Sequence, residues 1–120
     1  MQRIVVKIGS RVLAKKNGLL NEKIVSDFIC DLAKLKKEKN VDLVIVTSGA
    51  VSVGKAVKGL LNFRIEAEAI TYDKNIILEQ VMAAVGQPKL MAFYINEFQR
   101  YNLHCAQILA TRADNLSTAA

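Results

Sequence analysis

Two short apolar runs, each closed by a glycine turn, constrain what this chain can fold into. Ile4-Val5-Val6 with Ile8 stops at Gly9-Ser10, and Leu43-Val44-Ile45-Val46 stops at Thr47-Ser48-Gly49-Ala50. The first run, Arg3 to Ile8, and the second, Val41 to Val46, read as strands because both are rich in β-branched residues and bounded by turn residues. The second shows no alternation, which predicts cover on both faces, as in a parallel sheet. Between them Asn21 is placed as a helix N-cap with Glu22 in the first turn. Ile24, Phe28, Leu32 and Leu35 then recur at near-helical spacing up to Asn40. Strand, helix, strand is a βαβ unit, and its right-handed crossover brings both strand C-terminal ends to one edge. Ligands of open parallel sheets bind outside that edge, so Lys7-Ile8-Gly9-Ser10 and Thr47-Ser48-Gly49-Ala50 are the place to look for chemistry.

Beyond Ala50 a further helical stretch follows, and Asn62 to Asp73 reads as a loop or small hairpin. Asn75 to Val85 and Pro88 to Tyr101 read as two helices split at Gly86-Gln87, with Pro88 in a first turn that tolerates it. Leu103 to Leu109 reads as a third strand. The chain has 120 residues, 52% of them hydrophobic, which suits one compact domain and excludes a disordered linker.

The net charge of +6 hints at nucleic acid, but the excess lies within residues 1–40, with ten basic against four acidic groups; residues 41–120 balance at seven each. Lys34, Lys36, Lys37 and Lys39 suit a solvated helix face at the negative end of the helix dipole, and no aromatic residues interleave with them to stack bases. Cys30 and Cys105 lack metal-ligand spacing, His104 is the single histidine, and no apolar run approaches a membrane span. The expectation is a cytoplasmic protein with reduced, buried cysteines and neither nucleic acid nor membrane as partner.

Each edge turn has two readings. A lysine near the end of a buried strand calls for an anion, because an unpaired ammonium costs several kcal/mol to bury; alternatively Lys7 snorkels to solvent. Ser48-Gly49-Ala50 at a strand-to-helix junction offers N–H groups to an anion, or Ser48 is simply an N-cap. Together the turns describe a site for two anionic groups held side by side, as phosphoryl transfer to a carboxylate requires. A P-loop is excluded, since no Gly-x-x-x-x-Gly-Lys-Ser/Thr occurs, and Ser48 lacks the Gly-x-Ser-x-Gly elbow of serine hydrolases.

Four segments carry a resemblance: Ile4 to Ser10, Val44 to Ala50, Ala83-Ala84-Val85-Gly86-Gln87, and Ile108-Leu109-Ala110-Thr111-Arg112-Ala113-Asp114. In order and spacing the chain resembles the amino acid kinase family, in its glutamate 5-kinase branch. The resemblance implies a three-layer αβα sandwich with a mostly parallel sheet, here only its N-terminal half. It implies transfer of the γ-phosphoryl of ATP, with Mg2+, to the γ-carboxylate of L-glutamate, the first step of proline biosynthesis. By similarity Lys7 stabilises the transferred phosphoryl, Gly9 and Ser10 line its path, and Ser48, Gly49 and Ala50 hold glutamate. Feedback inhibition by proline is also implied. A strand as apolar as Leu103 to Leu109 needs cover on both faces, and with only the N-terminal half found that cover must come from another chain or be lacking, so a homo-oligomer is expected.

The family's kinase domain is about twice this long, and its second half, which supplies the nucleotide pocket, is not found in these 120 residues. Residues 1–114 match the amino-acid-binding part, whereas residues 115–120 resemble a later segment. Asp114 is therefore either the end of a strand motif or a metal-side acid. The rival to a kinase is a non-catalytic module that binds glutamate, proline or a partner chain.

Overall fold

The computed structural model describes residues 1–57 and 74–109. Strands β1 (Arg3–Ile8) and β2 (Asp42–Thr47) pair in parallel, from Arg3 opposite Asp42 to Ile8 opposite Thr47. A four-residue helix, α1 (Ser10–Leu13), follows β1, and the long helix α2 (Glu22–Lys39) makes the crossover. The βαβ unit is as the apolar runs require. β2 starts one residue later than expected, because Val41, 2% exposed, serves the core while its carbonyl accepts the Lys36 ammonium at 2.9 Å.

Helix α2 occupies the expected span. Asn40 ends it in the left-handed region at φ 48°, its N–H bonded to the Lys36 carbonyl, but the Asn21 side chain makes no capping bond. The buried stripe is Val25, Ile29, Leu32 and Ala33, and Ile24 is 48% exposed. Ile24-Val25 and Phe28-Ile29 are adjacent apolar pairs, so helical periodicity fits two stripes about 100° apart, and packing against the sheet selects the second. Lys34, Lys37 and Lys39 face solvent.

Helix α3 (Ala50–Lys55) leaves β2 through Gly49, and α4 (Lys74–Gln99) is one continuous helix with Pro88 inside it. The expected break at Gly86-Gln87 is absent. Pro88 forfeits one backbone bond on an exposed face, and continuing the helix buries Leu90, Tyr94 and Phe98 at 0%, 3% and 6% exposure. These join Ile8, Leu13, Val25, Ile29, Leu32 and Val53 in one core.

Three further expectations are corrected. Leu103 to Leu109 forms no strand: Leu103 and Cys105 pack against the core, but the segment pairs with neither β1 nor β2, and Ile108 is 91% exposed. The sheet is also covered on one face only among the described residues. Val6, Ile8, Leu43 and Ile45 pack inward, whereas Val5, Val44 and Val46 are exposed. Cys30 and Cys105 are free and half-buried rather than buried. Asn62 to Asp73, Asp114 and residues 115–120 lie outside the described residues. The architecture is α/β, a parallel two-stranded sheet with helices.

Candidate functional site

The two strands end level, and Ser48 locks them together. Its N–H donates to the Ile8 carbonyl at 3.1 Å and its hydroxyl donates to the same oxygen at 3.3 Å. Ser48 is therefore not a helix cap. Gly49 is the N-cap of α3, with φ 102° and no side-chain capping bond. Few residues other than glycine tolerate that φ, and a Cβ there would fall on Leu13 Cδ2.

Gly9 is different. Its φ is −80°, and a Cβ built on it would meet nothing within 4 Å. The fold does not require glycine at this position; its absent side chain leaves room beside the backbone for a ligand. The amides of Gly9, Ser10 and Arg11, and of Gly49, Ala50, Val51 and Ser52, have no backbone acceptor among the described residues, as is usual before and in a first helical turn. Seven donors thus sit around one edge.

Lys7 is exposed, on the open face of the sheet one residue before the end of β1. The cost of burying its ammonium, one of the two readings of this lysine, does not arise. Among the described residues no carboxylate lies within ion-pair distance of it. With Ile8, Gly9, Val12, Val25 and Phe28 it lines a cavity of about 210 Å³. A larger cavity, about 730 Å³, lies elsewhere, at the C-terminal end of α3 between Val53, Lys15, Lys89 and Phe93.

Behind the edge stand contacts that sequence reasoning missed. The Tyr94 hydroxyl donates to Thr47 Oγ1 at 3.0 Å, and Thr47 Oγ1 donates to the Ser48 carbonyl at 3.1 Å. Burial pushes the Tyr94 phenol above its ordinary value, partly offset by the bond to Thr47. Helices α3 and α4 cross backbone to backbone: a Cβ on Gly86 would fall on the Ala50 carbonyl oxygen, and one on Gly54 on the Met82 carbonyl oxygen. The available signal was Gly54 inside a helical stretch, unfavourable for helix propensity unless close packing requires it, whereas Gly86 read as a break between helices. Among the described residues no group of three or more His, Cys, Asp or Glu is placed to hold a metal ion.

A family model for the amino acid kinase family matches residues 2–119, the whole of the edge included. The chain belongs to the amino acid kinase family. Curated relatives of this amino acid kinase chain include the glutamate 5-kinase of Bacillus cereus (strain G9842), 40% identical over 113 residues. The glutamate 5-kinases of Bacillus anthracis and Citrifermentans bemidjiense are 38% and 37% identical over 113 and 114 residues. The matches take in 94–95% of this chain but 28% of each relative, so the chain spans little more than a quarter of their length. The expected site residues Lys7, Gly9, Ser10, Ser48, Gly49 and Ala50 all lie at the one edge.

Proposed function

We propose that this chain is the amino-acid-substrate part of a glutamate 5-kinase, with residues 1–114 as that part and residues 115–120 as a piece of a later segment. The observation that carries the reading is the Ser48–Ile8 lock, which brings Lys7 and the two donor-rich turns to one strand edge. The names of the curated relatives supply the acceptor.

In this reading a γ-carboxylate oxygen of L-glutamate attacks the γ-phosphorus of ATP. The new bond is O–P, the bond to the β-bridging oxygen breaks, and ADP leaves with its electron pair. The carboxylate is already ionised at neutral pH, so no general base is needed; the obstacle is repulsion between two anions. Lys7 offsets that charge, and the Gly9 and Ser10 amides donate to the moving phosphoryl. Ser48, Gly49 and Ala50 hold glutamate. These residues fit the phosphoryl end of ATP, and Mg2+, when bound with it, neutralises the β- and γ-phosphate oxygens. Exposed Val5, Val44 and Val46 support self-association, and a cytoplasmic place in proline biosynthesis belongs to the same proposal. Among the described residues no helix is long and apolar enough to cross a membrane.

One observation favours a second reading. The cavity beside Lys7, on the phosphate side of the edge, is about 210 Å³, below the usual range of a small-molecule site and too small for a nucleotide, so the chain alone would bind glutamate without transferring phosphate. ATP- and glutamate-dependent hydroxamate formation, run beside calorimetric titration with glutamate, separates the two. Product formation supports the kinase, and glutamate binding without product supports the module. No glutamate binding overturns both.

A further inference from the structure

The Ala83-Ala84-Val85-Gly86-Gln87 block carries the family resemblance, yet no role at the site follows from it. Its place in the fold supplies one. A Cβ on Gly86 would fall on the Ala50 carbonyl oxygen and come within 2.6 Å of the Gly54 nitrogen and 2.8 Å of the Ala50 carbonyl carbon. In a helix those two backbone groups are hydrogen-bonding partners, i to i+4. Gly86 thus lies directly against the backbone bond of α3 that follows the Val53–Gly49 cap bond, in the helix that issues from the Ser48-Gly49 turn.

Two turns further along the same helix, Tyr94 reaches the other side of that turn through Thr47 Oγ1, which in turn holds the Ser48 carbonyl. Leu13, which belongs to the same core as Tyr94, closes on Gly49. The segment Thr47 to Ala50 is therefore held at three points: Tyr94 at Thr47, Leu13 at Gly49 and Gly86 at Ala50. Backbone atoms cannot rotate away as a side chain tip can, so an added methyl at residue 86 must move α3 or α4.

We propose that Gly86 and Tyr94 are positioning residues that set the Thr47–Ala50 turn from behind and so tune its grip on the amino-acid substrate. The substrate half of this statement rests on the reading of Ser48–Ala50 as the glutamate turn; the geometric half does not. Neither residue touches the substrate. Gly86 acts through Ala50 and Tyr94 through Thr47.

The test uses the full 120-residue chain, 15N-labelled, as Gly86→Ala and as Tyr94→Phe, which adds no volume and keeps the ring in the core. Amide resonances of Thr47, Ser48, Gly49 and Ala50 shift in both variants, and glutamate titration shows affinity down about tenfold for Gly86→Ala and severalfold for Tyr94→Phe. Ile29→Val on α2 serves as the control for general loosening and leaves both readouts at wild-type values. If Gly86→Ala does not fold, Tyr94→Phe decides alone. Resonances of residues 47–50 unchanged in the folded variants overturn the proposal, as does an equal effect of Ile29→Val. A wild-type chain that ignores glutamate overturns the functional reading and the substrate half, and the resonance shifts still decide the geometric half.

Discussion

Gly49 and Leu13 compete for one volume: the Leu13 side chain, fully buried, fills the place where a Cβ on Gly49 would stand. At φ 102° the backbone is already in a region that side chains rarely adopt. Gly49→Ala combines about 1–2 kcal/mol of backbone cost with about 1–3 kcal/mol of overpacking. Urea unfolding should show the midpoint falling by the equivalent of roughly 2–5 kcal/mol at constant slope. A midpoint equal to wild type would mean that Leu13 does not sit there.

Gly9→Ala should behave in the opposite way. With φ at −80° and open space at the Cβ position, the variant should melt within a degree or two of wild type. If the phosphoryl passes beside this backbone, the added methyl blocks its approach, and hydroxamate formation should drop at least tenfold. A stable, fully active variant would remove Gly9 from the phosphate path.

Lys7→Met tests charge at the same edge. The side chain is exposed and unpaired among the described residues, so stability should change by no more than about 0.5 kcal/mol. Turnover should fall by about 10²–10³, the scale for losing one charge-stabilising donor in a transition state. Lys7→Arg keeps the charge but changes its reach, and should recover part of the rate. Near-normal turnover in Lys7→Met would exclude it from the chemistry.

How much of this was legible in the sequence depends on whether the signal was local. β1, α2 and the Gly49 turn are written in short stretches, Arg3 to Ile8, Asn21 to Asn40 and Thr47 to Ala50, and all three fold as those stretches indicate. The stripe of α2 is not local: Ile24 and Val25 are equally apolar, and only the sheet beneath chooses between them. Pro88 reads as a helix start because its local preference says so, while the burial of Leu90, Tyr94 and Phe98 that carries the helix through it is a long-range term. A helix cap was one of two readings of Ser48 for the same reason; its partner, Ile8, is 40 residues away. Leu103 to Leu109 has strand-like composition, but a strand exists only when another edge accepts it.

The one-sided sheet gives a contrast in stability. Leu90→Ala, at a fully buried site, should cost about 2–5 kcal/mol, whereas Val44→Thr, on the open face, should stay within about 0.5 kcal/mol. Sedimentation velocity should show less self-association for Val44→Thr if that face is what brings copies together. A large stability loss in monomeric Val44→Thr would mean that the face is covered.

Alkaline pH provides the last test. Tyr94 is 3% exposed, and burial raises its phenol above the ordinary value of 10.0, with the Thr47 bond opposing in part. Because the folded chain holds this proton more tightly than the unfolded one, the associated stability is fully present below about pH 10 and is lost as pH rises through the folded value. Two other groups slope the same way: Tyr101, raised first by its hydrogen bond with Cys30, and the Cys105 thiol, raised by burial. Tyr94→Phe isolates the share of Tyr94. At neutral pH the variant should be less stable by about 1 kcal/mol, having lost the hydroxyl bond to Thr47. Between pH 9 and 11 its urea midpoint should fall less steeply than that of wild type, so that the two curves converge. Parallel curves would show that the Tyr94 phenol ionises as freely in the folded chain as in the unfolded one, and hence that it does not stand buried against Thr47 behind the edge.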